Sequence, residues 1–380
     1  MARVLYLITE DWAFLSHRLT AAQAVRDAGH EVVVATNVQE HGQTILEQGF
    51  RLVPIRPLRA GNGPVGELAK LIQITALFRR LKPDIVHNFT IKPILFGSVA
   101  GWLAGVPHVI NSFTGMGYLF ISTSWKSRLL RGFVGVVLRY FHRRRNFHLT
   151  VQNPDDEATL RQYGIAHGRP ILTIAGAGVD ADHYRPLPEP EGQPIAALVG
   201  RMLWDKGTGE LVGAAERLRE RGCPLRIVLV GLPDPANPAS IPEDTLRRWD
   251  EAGLVSWWGH ARDVRTVWAQ AHIAVLPSYR EGLPKSMLEA AACGRPLVVT
   301  DVPGCREVVE PGNNGLLVTV RDVETLADAL QYLASDPKAR RQMGANARAL
   351  IERKFTKERI ADRVLEIYHA LLQGRDPDPA

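Results

Sequence analysis

Short apolar runs recur along the chain, each closed by turn residues and separated from the next by a stretch of helical period. In the first half they are residues 3–8 (RVLYLI), 31–36 (EVVVAT), 84–89 (DIVHNF), 108–113 (HVINSF) and 147–152 (FHLTVQ). In the second half they are 194–200 (PIAALVG), 225–231 (LRIVLVG), 255–259 (VSWWG), 272–278 (HIAVLPS) and 296–301 (PLVVTD). Runs that stay apolar on both side-chain faces, with helices between them, predict parallel strands covered on both sides. The expected class is α/β with doubly wound sheets. Residues 176–194 (GAGVDADHYRPLPEPEGQP) interrupt the alternation with glycine, proline and acids. They predict a linker over 176–193, joining a Rossmann-like domain at 1–175 to a second at 194–355, the two facing each other across a cleft. Residues 356–380 read as a C-terminal helix returning toward the N-terminal domain, with a frayed end.

Composition adds bounds to this picture. With 46% apolar residues in 380, the chain can fill two cores, and wholesale disorder is excluded. The net charge of +6 is mild; it favours an anionic partner without pointing to nucleic acid. Three scattered cysteines, Cys223, Cys293 and Cys305, fit neither a disulfide framework nor a zinc site and predict a reducing, cytoplasmic setting. The opening VLYLI breaks at Thr9-Glu10-Asp11, too early for a signal-peptide core, and no apolar run reaches the roughly eighteen residues of a membrane span.

Open parallel sheets bind ligands beyond the carboxyl ends of their strands, so the loops there form the search list. After 194–200 comes RMLWDKG, with Arg201 and Lys206 ahead of a helix predicted from about Thr208. Two cations before a helix N-terminus can make an anion site, and a diphosphate suits a planar fork beside a point charge; the other reading of the pair alone is two solvated surface cations. Gly200 and Gly207 bracket them and allow close backbone approach. After 272–278 comes YREGLP, which places Glu281 on a turn and Glu289 within the following alanine-rich helix. One carboxylate can accept sugar hydroxyl protons and the other a ribose diol; as helix-surface acids they would do neither.

Together GRMLWDKG and PSYREGLPKSMLEAAACGRPLVVTDVPGCREVV closely resemble the donor half of glycosyltransferase family 4, with GAGVD at 176–180 and GNNGLLV at 312–318 extending the likeness. That family comprises retaining, metal-independent enzymes of the GT-B fold. The resemblance implies that Arg201 and Lys206 bind the donor diphosphate, Glu281 the transferred sugar and Glu289 the nucleotide ribose. Gly282, Leu283 and Pro284 would offer backbone to sugar and phosphate. VGLPDP (230–235) and the residues around Trp258 to Arg262 would flank the base. It implies no cofactor and no metal, and the Asp-x-Asp at Asp180-Ala181-Asp182 lies in the linker as turn chemistry.

In the first half, TEDWAFLSHR (9–18) is similar to members that extend polyprenyl-diphosphate-linked sugars, making Asp11, Trp12, His17 and Arg18 acceptor-side candidates. Many members carry a histidine where this chain has SFTGMG, so Thr114 and Gly115 occupy that place; His87 is the nearest alternative imidazole, the other reading being a structural histidine at a strand end. Residues 120–148 interleave cations with aromatics and aliphatics, as an interfacial helix on anionic lipid does; the other reading is a core helix with a solvated basic end. The composite expectation is transfer of a sugar, an N-acetylhexosamine carried on UDP, to a lipid-linked glycan in cell-envelope polysaccharide or glycoconjugate synthesis. It would occur at the inner face of the plasma membrane, with no nucleic acid involved. The rival readings are a nucleotide-sugar epimerase on the same scaffold and a non-catalytic basic membrane-binding scaffold. A dehydrogenase needs a G-x-G-x-x-G after its first strand, and none follows RVLYLI.

Overall fold

The computed structural model describes every residue except 59–62, 116–124, 167, 236 and 380. The chain forms two compact units, residues 1–177 with 357–380 and residues 178–356. In the first, the order is β1 (Arg3–Glu10), α1 (Asp11–His17), α2 (Leu19–Asp27), β2 (Glu31–Asn37), α3 (Gly42–Glu47), β3 (Arg51–Pro54) and α4 (Gly63–Leu81). There follow β4 (Ile85–Phe89), α5 (Ile91–Ala104), β5 (His108–Ser112), α6 (Trp125–His142), β6 (Phe147–Val151), α7 (Pro154–Gln162) and β7 (Leu172–Thr173). The strands pair in parallel in the order β3-β2-β1-β4-β5-β6-β7.

The alternation of side chains along β1 explains why its sequence is apolar throughout. Val4, Tyr6 and Ile8 enter one core with Phe14 and Val25, while Leu5 and Leu7 enter another with Ile74, Phe78 and Ala100. Each face of the strand is thus covered by helices, as right-handed parallel crossovers require.

In the second unit the order is β8 (Ile195–Val199), a 3-10 turn (Trp204–Lys206), α8 (Thr208–Glu220), β9 (Arg226–Val230), α9 (Glu243–Glu251), β10 (Ser256–Trp257) and α10 (Arg265–Trp268). Then come β11 (Ile273–Leu276), α11 (Lys285–Ala292), β12 (Leu297–Thr300), α12 (Cys305–Val308), β13 (Gly315–Val318), α13 (Val323–Ser335) and α14 (Pro337–Leu350). Its parallel sheet runs β10-β9-β8-β11-β12-β13. Ala196, Leu198, Ile227, Leu229, Ile273 and Val275 share one core with Leu211, Leu218 and Leu330.

The last helix, α15 (Lys357–Leu372), lies in the first unit against α2. Ile360, Val364, Ile367, Tyr368 and Leu371 complete the β1 core. The end of the chain, expected to fray, is fastened instead. The N–H of Thr173 donates to the Pro379 carbonyl at 2.9 Å, Arg363 donates to the Asp378 carbonyl, and Pro377 is buried. Beyond the ten runs the sheets also contain β13 (GLLV) and the short β3 and β7, whose four and two residues show no sustained apolar stretch.

Candidate functional site

The six-stranded sheet reverses its strand order between β8 and β11, so the loops leaving these neighbours part around a crevice at the carboxyl edge. The first loop carries Gly200, Arg201 and Lys206; the second carries Glu281, Gly282, Leu283 and Pro284. They are fastened to one another: the Tyr279 N–H and the Ser278 hydroxyl both donate to the Asp205 carbonyl, at 2.9 and 3.1 Å. Gly207, at φ 71°, permits this approach, because a Cβ there would lie 2.0 Å from the Pro277 carbonyl oxygen. At Gly200 a Cβ would meet open space, so the protein's own packing makes no demand for glycine there.

The juxtaposition places Lys206 Nζ 2.6 Å from Glu281 Oε1, with the two side chains 22% and 12% exposed. The Glu281 N–H donates to the Pro303 carbonyl at 3.1 Å, which fixes the loop independently of the ion pair. Arg201, half exposed, meets Asp234 Oδ2 at 2.6 Å on the loop after β9. Both cations expected to hold a diphosphate are therefore already held by carboxylates, and a bound anion must compete for them. Asp234→Asn removes one competitor from a solvent-screened pair, so it should tighten binding of a nucleoside diphosphate roughly two- to fivefold. Titration calorimetry on parent and variant reads this directly; unchanged or weaker binding would count against competition at Arg201.

Asp205, beside Lys206, is half-buried, and its Oδ1 has no hydrogen-bond partner among the described residues. Burial raises its carboxyl above the usual range, against the pull of Lys206. Glu289 sits deeper, on the second turn of α11, and is buried. Burial raises its carboxyl, with Lys285 Nζ 3.6 Å away and the Tyr184 phenol hydrogen-bonded to it as counterweights. The loop holding Asp234 is legible in the sequence as a flank of the base, but its pairing with Arg201 and that of Tyr184 with Glu289 are not, because each reaches its partner from a distant segment. Asp180 Oδ1 accepts the N–H groups of Asp182 and His183 at 3.2 and 2.9 Å, so this Asp-x-Asp is a turn.

In the first unit, His17 and Arg18 line a small cavity of about 10 Å³ with Tyr6, Phe89 and Lys357, room for roughly one water. The Arg18 guanidinium lies 4.4 Å from the centre of the Phe89 ring, and Nη1 donates to the Gly176 carbonyl at 3.4 Å. Burial draws its pKa down to about 10, which still leaves it charged at neutral pH. His87 borders the same cavity but is a core residue. Nδ1 meets the Tyr368 hydroxyl and Nε2 the Ser112 hydroxyl, each at 2.6 Å, and burial holds the imidazole neutral, well below its ordinary pKa. Neither ring nitrogen is left to take a proton from a substrate hydroxyl, which favours the structural reading of His87 over that of an acceptor-side base.

Asp11 is likewise structural: its buried carboxylate accepts the N–H groups of Trp12, Gln39 and His41 at 2.7–2.9 Å. Trp12 is exposed, and its indole N–H donates to Glu10 at 2.6 Å. Thr114 and Gly115 follow β5, both half-buried, and do not line the cavity. Of the basic stretch at 120–148, residues 120–124 lie outside the described residues. Further along, α6 exposes Leu129, Leu130, Phe133, Val136 and Tyr140.

Residues 193–336 match the family described as glycosyl transferases group 1, and residues 3–148 match the glycosyl transferase 4-like family. Along 95% of its length the chain is 26% identical to the N,N'-diacetylbacillosaminyl-diphospho-undecaprenol alpha-1,3-N-acetylgalactosaminyltransferase of Campylobacter jejuni, covering 99% of that protein. It is 30% identical to the alpha-maltose-1-phosphate synthase of Mycolicibacterium smegmatis over 75% of this chain and 78% of that one. Among solved structures, sucrose-phosphate synthase from Thermosynechococcus elongatus superposes with a TM-score of 0.79 over 98% of this chain and 100% of that one, at 20% identity.

Proposed function

The chain belongs to glycosyltransferase family 4, and on that premise we propose that it moves an N-acetylhexosamine from a UDP-sugar to a lipid-linked glycan, retaining the anomeric configuration. The observation that carries the reading is the Lys206–Glu281 pair at the strand-order reversal of the second unit, with Arg201 on the same loop. The end-to-end likeness to a relative whose name specifies an undecaprenol-diphosphate-linked acceptor supports the choice of acceptor.

In this reading Arg201 and Lys206 take the donor diphosphate and gain strength as negative charge gathers on the departing phosphate oxygen. Glu281, released from Lys206, accepts hydroxyl protons of the sugar. The bond from the anomeric carbon to that phosphate oxygen breaks as the acceptor oxygen bonds to the same face of the carbon. The acceptor's proton passes to the departing phosphate, so no side-chain base is required, in keeping with the engaged nitrogens of His87. Glu289 reaches the ribose once Tyr184 yields part of its hold. The two cations answer the diphosphate's charge, so the reaction needs neither metal nor cofactor. His17 and Arg18 serve the acceptor side, where Arg18 stays charged and has no carboxylate in ion-pair contact among the described residues. Neither the epimerase nor the scaffold alternative gains an observation.

Among the described residues no helix is long and apolar enough to cross a membrane. The basic and aromatic face of α6 is the part we assign to the inner leaflet of the plasma membrane. Transfer from UDP-N-acetylhexosamine to an undecaprenyl-diphosphate-linked sugar, run with excess chelator, tests the whole reading. An α-linked product at an undiminished rate is expected. Loss of turnover restored by manganese would remove the metal-free mechanism, and an isomerised donor without acceptor would favour the epimerase.

A further inference from the structure

We propose that the outward face of α4, with the end of α5, is a second contact for an anionic phospholipid leaflet, so that the first unit meets the membrane on two helices. This rests on the reading of α6 given above. The inner face of α4 is conventional: Ile74, Leu77, Phe78 and Leu81 are buried in the sheet's core. The outer face is also apolar. Val65, Leu68 and Ile72 are 82%, 57% and 60% exposed, at three- and four-residue spacing along one side of the helix. A helix apolar on both sides normally lies inside a larger core or against a hydrocarbon phase.

Between α4 and α5 this face opens a groove of about 680 Å³, walled by Leu68, Leu71, Ile72 and Leu103 and bordered by Arg79 and Arg80. An aliphatic surface with cations at one end has the layout of an interfacial lipid contact. The centres of protein–protein interfaces favour tryptophan, tyrosine and arginine over leucine and valine, so a protein partner fits less well.

Charge points the same way. From Ile85 to Pro154 the chain carries no Asp or Glu, yet it carries eight Lys or Arg. The only acid on α4, Glu67, lies 3.0 Å from the Lys70 ammonium. The residues lining the groove include Arg79 and Arg80 and no Asp or Glu, and such a surface gathers anionic headgroups, each cation near the surface adding to the attraction.

The last turn of α5 joins the two contacts. Leu103 lines the groove, and its carbonyl accepts from Arg79 Nη2 at 3.1 Å. Its neighbour Trp102, 45% exposed, meets the Tyr140 ring of α6 edge-on at 6.4 Å. The Arg144 guanidinium lies over both rings, at 5.6 and 4.8 Å. The aliphatic groove and the basic, aromatic end of α6 are therefore continuous through residues 102–103.

The test uses the full chain and flotation with vesicles of phosphatidylcholine alone or mixed with phosphatidylglycerol. The double variant Leu68→Ser/Ile72→Ser should partition onto the mixed vesicles about tenfold less well, and Arg80→Glu should also weaken partition. Both should keep the parent's melting temperature and its rate on a water-soluble acceptor. A polarity-sensitive fluorophore on Ile72→Cys, in a Cys223→Ser background with Cys293 and Cys305 buried, should shift to the blue with the mixed vesicles. Unchanged partition and an unshifted probe would overturn the α4 contact. If Leu129→Ser/Phe133→Ser on α6 then lowers partition, the reading of α6 survives alone; if it does not, both readings fall. A blue shift without vesicles that grows with protein concentration would mean a second copy covers this face, and would overturn the proposal.

Discussion

Glu281→Gln is expected to lower kcat roughly 10²–10³-fold, the cost seen when one preorganised polar contact to a transition state is removed. The substitution keeps the shape of the side chain and removes its charge. It thus separates what Glu281 does for the sugar from what it does for the loop. The loop does not depend on it: the Glu281 N–H stays on the Pro303 carbonyl, and Tyr279 and Ser278 stay on the Asp205 carbonyl. The ion pair with Lys206 is only partly buried, so losing its charge should change stability by about 1 kcal/mol or less. Lys206→Met removes the opposite partner and should give a loss of similar size, because the leaving diphosphate loses a cation. Steady-state kinetics beside a melting curve decide the matter. A Glu281→Gln enzyme turning over within twofold of the parent, with an unchanged melting point, would take Glu281 out of the mechanism.

The second large effect is acid sensitivity of the first unit. His87, His142 and His148 are buried and neutral. Burial, reinforced by Arg169, lowers His142 to about 4 and His148 to about 3, while His87 is lowered well below its ordinary value by burial and then by Arg18. An unfolded histidine titrates near 6.5, so below that pH the unfolded chain binds protons that the folded chain refuses. The stability these groups contribute is complete above about pH 6.5 and is lost as pH falls toward 4 and then 3. Each imidazole costs roughly 1.4 kcal/mol per pH unit within that window, so the three together cost on the order of 4 kcal/mol per unit. The melting temperature should then fall by about 10 °C between pH 6.5 and 5.5. Carboxylates with lowered pKa, such as Asp263 at about 2 beside Arg265, act only in more acidic solution and leave this window clear. His142→Leu should make the slope shallower, by less than a third because burial also lowers His30, His108 and His272. A melting temperature flat from pH 7 to 5 would show that these imidazoles take up protons in the folded state.

The central strands could be read from the sequence because parallel strands between two helical layers must be apolar on both faces, and runs such as 3–8 and 272–278 show it plainly. The edge strands could not. β3 is only four residues with both ends exposed, and β7 is two residues, so neither carries a burial pattern long enough to see. At the site, the rule that ligands lie beyond strand ends singled out the loops that bring Lys206 to Glu281. Their other partners were hidden, because the pairing of Arg201 with Asp234 and of Glu289 with Tyr184 depends on how separate segments pack. For His87 the sequence leaves a structural and an acceptor-side reading open for the same reason. A histidine at a strand end looks available until the hydroxyls of Tyr368 and Ser112, far away in sequence, occupy both nitrogens.

The return of α15 to the first unit carries a consequence for biosynthesis. When residue 177 leaves the ribosome, the β1 core still lacks Ile360, Val364, Ile367, Tyr368 and Leu371. His87 then has no hydroxyl for its Nδ1, and the sheet face that α1 and α2 cover only in part lacks its remaining apolar layer. The second unit, contiguous from 178 to 356, can finish folding first although it is translated later. A nascent chain stalled anywhere before α15 emerges therefore exposes the part of this apolar core that α15 covers, the kind of surface that chaperones bind and that aggregates form on. The first 177 residues expressed alone would inherit the same defect.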